Sequence, residues 1–353
     1  MDYKREIERL ADIVVKEGAS DLHISAGYRP TIRVTGFLVP VGQDAPLTGK
    51  DTEAILSHLL SADQMKAFHE RQEMDFSYSY KDKIRFRGNA FVQQGTIGIV
   101  MRLVPTRIKT LSELNLPNVL EIFAHKKQGF FLVVGPTGHG KSTTLAALVQ
   151  MINETRSEHI VTIEDPIEFV YTPDKAFIDQ REVRIDTKDF QSALGSMFRQ
   201  DVNVVLIGEM RNIETMAAAV TAAETGHLVF STLHTNNAAQ TLDRIIDSFP
   251  ADQQQQIRLQ LASSLTGIFS QRLIPRVSGG LVPAYELLVA NNAVANLIRD
   301  KRTHEINTVI ETGMDEGMID LNRTLAALVK AGEITIENAY NHSLNAKLLE
   351  KYL

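Results

Sequence analysis

One stretch limits the fold of this chain more than any other. Residues 129–134 read Gly-Phe-Phe-Leu-Val-Val, a continuous apolar run ending at a glycine, as expected of a buried parallel strand. Gly135, Pro136, Thr137, Gly138, His139, Gly140, Lys141 and Ser142 follow, and they fit G-x-x-x-x-G-K-[ST]. From Thr143 and Thr144 through Leu145 and beyond, the pattern is that of a helix starting inside the motif. Glycines let the backbone wrap close to an anion, so successive N–H groups and the helix N-terminus point at phosphates. Lys141 then reaches the β- and γ-phosphates, and Ser142 holds Mg²⁺. A glycine-rich turn is the plainer alternative. The full motif in a strand–loop–helix setting implies instead that the chain binds ATP or GTP.

The rest of the composition narrows what such a site can serve. At 353 residues the chain has room for two or more domains with substantial cores. Its 44% hydrophobic and 23% charged content is that of an ordinary globular protein. A formal net charge of −6 gives no global bias toward nucleic acid or acidic lipid. The absence of cysteine excludes disulfides, cysteine–zinc sites and cysteine nucleophiles, and suits a reducing compartment. No apolar run approaches the roughly 20 residues needed to span a bilayer. The first residues, Met1-Asp2-Tyr3-Lys4-Arg5-Glu6, lead into an amphipathic pattern and not a signal peptide's apolar core. The expectation is a cytoplasmic protein whose membrane contact is peripheral.

Apolar positions Ile7, Leu10, Ile13 and Val14 have helical spacing, with Gly18 as a stop. Alternating segments at 21–25, 31–34, 75–80, 84–91 and 98–103 read as half-buried strands, with a second helix around Ile55 to Leu60. Residues 1–104 thus form an α+β module without a phosphate loop. Pro105, Arg107, Lys109 and Pro117 mark a linker over 105–117. Beyond it, strands at 130–134, 160–163, 204–207 and 228–232 alternate with helices such as 190–199 and 213–224. That alternation is the signature of a parallel α/β sheet over 118–290. Residues 291–353 read as a helical subdomain. The run of four glutamines at 253–256 is placed on a solvated helix face.

Hydrolysis requires a positioned carboxylate and usually an arginine. The run 204–209 delivers Glu209 to the end of a buried strand, where it could hold the Mg²⁺ hydration shell or orient water. Glu164 also ends a strand and is the better candidate base because it follows the apolar run directly; Asp165 and Glu168 could be turn or cap residues. His227 and His234 lie seven apart, an odd separation that does not put two ligands on one strand face. One reads as a strand entry, the other as a strand exit able to sense a γ-phosphate; each could equally be structural. Arg85, Arg87 and Arg102 sit on strands of the first module. They either form a solvated basic face or reach a nucleotide held by a neighbouring domain or subunit.

Taken together, five segments resemble the type II/IV secretion ATPase superfamily, the motors of type II secretion and type IV pili. They are Gly-Pro-Thr-Gly-His-Gly-Lys-Ser-Thr-Thr-Leu from Gly135, Thr-Ile-Glu-Asp-Pro-Ile-Glu from Thr162, Gly-Glu-Met-Arg from Gly208, Thr-Ala-Ala-Glu-Thr-Gly-His from Thr221, and Thr-Leu-His-Thr from Thr232. Within that superfamily the likeness is to the pilus retraction (twitching-motility) branch, and it runs from Gly18-Ala19-Ser20-Asp21-Leu22-His23 to the helical tail. The resemblance implies an ATP- and Mg²⁺-dependent homohexamer acting on an inner-membrane pilus platform protein, with no nucleic-acid partner. It implies a PAS-like N-terminal domain joined to a RecA-like P-loop domain. It assigns nucleotide binding to residues 135–143 and His227, Mg²⁺ to Ser142 and Glu209, and catalysis to Glu164, Glu209, His234, Arg87 and Arg102.

Three departures stand out. His139 occupies a loop position where small residues are common, and its side chain is expected to point outward. Asn212 follows Glu-Met-Arg where Asp is usual. Ala295 replaces the arginine of the branch's Ala-Ile-Arg-Asn-Leu motif. The competing readings are a short pilus assembly ATPase and a RecA-like nucleic-acid motor, the latter opposed by the net charge and the lack of an interleaved basic–aromatic run.

Overall fold

The computed structural model describes residues 2–42, 45–81, 84–105 and 107–353; Thr106, in the expected linker, lies outside them. The chain divides into two compact units, 1–107 with Glu168–Val170, and 108–167 with 171–353.

In the first unit, α1 (Tyr3–Lys16) is capped by Asp2 and buries Ile7, Leu10, Ala11 and Val14. Three short strands follow, β1 (Asp21–Ser25), β2 (Thr31–Val34) and β3 (Phe37–Pro40). Helices α2 (Gly49–Leu59) and α3 (Ala62–Arg71) each open with a capping box, from Thr48/Asp51 and Ser61/Gln64. Strands β4 (Glu73–Tyr80), β5 (Ile84–Gln93) and β6 (Thr96–Val104) complete an antiparallel sheet in the order β3-β2-β1-β6-β5-β4. Period-2 alternation puts Phe86, Ala90, Ile97, Ile99 and Met101 into one core with α1 and α2. Edge strand β3, with its exposed Phe37 and Leu38, and helix α3 were not legible as elements in the sequence pattern.

The second unit begins with α4 (Glu121–Ala124) and then alternates: β7 (Gly129–Val134), α5 (Lys141–Thr155), β8 (His159–Glu164), β9 (Phe177–Glu182), α6 (Phe190–Met197), β10 (Val204–Ile207), α7 (Ile213–Glu224), β11 (Leu228–Leu233), α8 (Ala238–Asp247), α9 (Gln254–Ser264), β12 (Leu265–Pro275) and β13 (Leu281–Val289). The sheet order is β13-β12-β7-β11-β10-β8-β9, parallel throughout except for β13 on the edge. Every residue of β7, β10 and β11 is buried, which is why these strands read as unbroken apolar runs. No strand was expected over residues 265–289. Buried Ser270, Gln271 and Glu286 interrupt the apolar pattern of β12 and β13 and hide their period.

Five helices follow: α10 (Asn292–Arg299), α11 (Ile306–Thr312), α12 (Leu321–Lys330), α13 (Ile336–His342) and α14 (Ala346–Tyr352). Val294, Leu297, Ile298, Ile306 and Ile310 of α10 and α11 join the main core of this unit. Leu321, Leu325, Ala339 and Leu349 of α12–α14 make a second core against Ile274, Val282 and Ala284 of the β12–β13 pair. No helix among the described residues is long and apolar enough to cross a membrane.

Candidate active site

The parallel strands bring β7, β8, β10 and β11 to a common C-terminal edge, with Ile163 beside Ile207, Ile207 beside Ser231, and Leu233 beside Val134. In open α/β sheets this edge is where ligands bind. The phosphate loop leaves β7 there, with Gly135, Gly138 and Gly140 at positive φ of 142°, 79° and 81°. Glycine is also needed for room: a Cβ on Gly135 would lie 2.3 Å from the Gln271 carbonyl oxygen. Helix α5 opens after Gly140 without a side-chain cap, so its first-turn amides are free to serve an anion.

Lys141 is buried, and its Nζ donates to the carbonyl oxygens of Gly135 and Pro136, both at 2.9 Å. Burial pushes its pKa down, opposed by the charge of Glu209. His234 leaves β11 beside it, with Nδ1 3.4 Å from Lys141 Nζ and 3.2 Å from Thr137 Oγ1. An ammonium only donates, so Nδ1 is the acceptor and Nε2 carries the proton. Nε2 faces Glu209 Oε2 at 3.7 Å. Burial first, then Lys141, lowers the His234 pKa and keeps the ring neutral near pH 7. Glu209, beyond the end of β10, is also paired with Arg211. The end of β10 is itself fixed by Ser231 Oγ donating to the Ile207 carbonyl at 2.9 Å and Thr232 Oγ1 to that of Gly208 at 2.7 Å.

Glu164 ends β8 and is almost fully buried, with Thr162 Oγ1 donating to its Oε1 at 2.7 Å. Asp165 instead pairs with Arg184 at 3.2 Å. Ser142 is exposed at the start of α5, where a hydroxyl can meet a cation held against phosphates. Ser142 and the Glu209 carboxylate are hard oxygen donors of the type Mg²⁺ takes, with phosphates and water completing its shell.

Two expectations change. The imidazole of His139 does not point outward: its Nδ1 accepts from the Leu273 backbone N–H at 2.9 Å. Burial, with His342, Arg272 and Lys141 nearby, holds its pKa below the ordinary value and so keeps that lone pair available. His227 is not brought to the loop. It stands at the opposite end of β11, roughly 20 Å away along a six-residue strand, with Nδ1 3.0 Å from the Ala222 carbonyl oxygen and its ring against Phe198. Residues that flank the two ends of a six-residue strand are necessarily held apart by its length.

Arg87 and Arg102 belong to the first unit, directly opposite each other across β5 and β6. Arg102 Nε donates to Asp21 Oδ1 at 2.7 Å. Sequence reading missed Thr162, Arg211 and Gln271. Thr162 was legible in principle, being two residues from Glu164 and hence on the same strand face. Gln271 carries no local signal, since its partner Thr144 is 127 positions away.

Comparison with known proteins identifies the family. Residues 3–314 match the family described as type II/IV secretion system protein. The chain is 44% identical over 334 residues to the type IV pilus retraction ATPase PilT of Pseudomonas aeruginosa, covering 95% of this chain and 97% of that protein. It is 43% identical over 319 residues to a twitching motility protein of Neisseria gonorrhoeae, covering 90% and 85%. The crystal structure of the pilus retraction motor PilT with bound ADP superposes with a TM-score of 0.90 at 42% identity, over 98% of this chain and 99% of that one. A complete phosphate loop with acidic and histidine residues at the neighbouring strand ends, together with these matches, places the chain in the type II/IV secretion system protein family, as one of its ATPases.

Proposed function

We propose that the chain is a hexameric ATP-driven motor that retracts type IV pili through an inner-membrane platform protein. The observation that carries the ATPase part of this reading is that His234 lies within reach of both Lys141 and Glu209, at the same sheet edge where Glu164 ends β8. Lys141 and the amides of residues 135–143 bind the β- and γ-phosphates. Ser142 and Glu209 would hold Mg²⁺, which supplies charge neutralisation on the phosphoryl oxygens. Glu164 takes the proton of the attacking water as its oxygen bonds to the γ-phosphorus and the β–γ bridging oxygen leaves with ADP. His234 reads the γ-phosphate. Arg87 and Arg102 complete the site from a neighbouring subunit of the ring.

In this reading residues 1–104 are a PAS-like domain, 105–117 the linker, 118–290 a RecA-like domain and 291–353 a helical subdomain. The protein works at the cytoplasmic face of the inner membrane by peripheral attachment. The names of the relatives support retraction; the short assembly ATPase is the second reading, favoured by Ala295 in place of the branch's arginine. Deleting the gene and counting surface pili separates the two. More or longer pili with lost twitching are expected, and bald cells would mean an assembly motor. Purified Lys141→Ala protein should show no ATP turnover, and substantial turnover would remove the phosphate loop from the mechanism.

A further inference from the structure

Strand β12 lies parallel to β7 with Ser270 opposite Val134, so the residues after Ser270 run beside the phosphate loop. Successive side chains on a strand point to opposite faces. Ser270 and Arg272 both turn toward the loop that follows His234. There Ser270 Oγ donates to the Asn236 carbonyl at 2.9 Å and Arg272 Nη2 lies 3.5 Å from Asn236 Oδ1.

Gln271 turns the other way and is only 3% exposed. Its Oε1 accepts from Thr144 Oγ1 at 2.6 Å, in the first turn of α5. Its Nε2 lies where a Cβ on Gly140 would meet it at 2.8 Å, and its backbone oxygen fills the same space beside Gly135. One residue therefore touches the first glycine of the loop, the last glycine and the helix that the loop opens. Two positions on, the Leu273 N–H reaches His139 in the middle of the loop. An apolar side chain of similar volume would fill this space with less desolvation cost. What the amide adds is direction: the Thr144 hydroxyl also has the Gly140 carbonyl at 3.2 Å, and the shorter contact to Gln271 ties the first turn of α5 to β12.

We infer that Gln271 is a positioning residue of the nucleotide site: through Thr144, Gly135 and Gly140 it sets the span of the phosphate loop and the aim of the amides that open α5. The inference rests on the nucleotide reading above. A loop that holds the phosphates equally before and during transfer contributes uniform binding, so damage to it appears in KM more than in kcat.

The test uses the full-length protein, MgATP turnover and binding of a fluorescent ADP analogue. Gln271→Met and Thr144→Val should each raise KM and the ADP-analogue Kd by about tenfold, with kcat within about threefold of wild type. The double variant should lose less than the product of the two single effects, since both remove the shared Thr144–Gln271 contact. Thr144→Ser keeps the hydroxyl and should bind as wild type. An unchanged KM in Gln271→Met, or effects that add in the double variant, would overturn the inference. If Gln271→Met does not fold, the contrast between Thr144→Val and Thr144→Ser decides: equal KM values in those two sink it. Wild-type protein that binds neither nucleotide would sink the nucleotide reading itself, a result distinct from tight wild-type binding with an unaffected Gln271 variant.

Discussion

Thr162 holds Glu164 from within the same strand: the threonine hydroxyl donates to the carboxylate at 2.7 Å, with both residues buried on one face of β8. If Glu164 is the base of the proposed mechanism, it has to be aimed before the water arrives, and this contact would aim it. Thr162→Val preserves shape and removes the donor. It should lower kcat by about tenfold with little change in KM, whereas Glu164→Gln should lower kcat by about two decades or more. Steady-state kinetics beside ADP-analogue binding separates the two effects. Near-normal turnover in Glu164→Gln would move the base role to Glu209.

Acid–base behaviour gives a second expectation, centred on Glu286 of β13. Its carboxylate accepts from the Ala238 N–H at 2.8 Å, at the start of α8. Burial raises its pKa from 4.5 to about 7, reinforced by Asp320 and opposed by that hydrogen bond and by Arg272. A folded-state pKa above the unfolded one means that the native state holds the extra proton. The stabilisation is complete below pH 4.5 and is lost as pH rises toward about 7, a difference of roughly 3 kcal/mol. Glu286→Gln keeps the acceptor for Ala238 and removes the titration. Its stability to denaturant should match wild type near pH 5 and exceed it near pH 8. Parallel stability curves for the two proteins across that range would rule this out.

The two residues just discussed mark how far the sequence could be read. Glu164 and Glu209 were legible as strand-end carboxylates because one directly follows a run of buried residues and the other follows its run after a single glycine, and a parallel sheet leaves such positions at its ligand-binding edge. The phosphate loop was legible because its spacing is dictated by phosphate geometry. Glu286 and Gln271 were not, because a polar residue in the middle of a strand erases the very periodicity by which strands are found. His227 misled for a related reason: a motif names two histidines together, but a strand holds its two ends apart. Only pairing register shows which end meets the loop.

Arg102 carries the expectation about the assembly. Its Nε is anchored on Asp21, which is almost completely buried, while the Arg102 side chain is 66% exposed. Burial alone would raise the Asp21 carboxyl, but hydrogen bonds from Ser20 and Arg102 hold it below its ordinary value. The anchored guanidinium is thereby aimed outward at little further entropic cost. If it completes a neighbour's active site, Arg102→Ala and Lys141→Ala proteins should each be inactive alone and regain partial turnover when co-assembled. Full activity from a strictly monomeric species at micromolar concentration would end this proposal.

Ala295 tests the direction of the motor. It lies half-buried on α10, between Val294, which is in the core, and Asn296, which is exposed. Alanine has the highest helix propensity, so its presence leaves the helix intact and removes only a long cationic arm. An arginine placed at a half-buried position can lay its methylenes along the helix and keep its charge in water. Ala295→Arg should therefore fold with wild-type stability and hydrolyse ATP at nearly the wild-type rate. Any gain should appear in cells, as retraction that is faster or unchanged. The pair of measurements is ATP turnover by purified protein and twitching speed of complemented deletion cells. A collapse of turnover would show that position 295 serves packing within the motor and not its coupling to the pilus machinery.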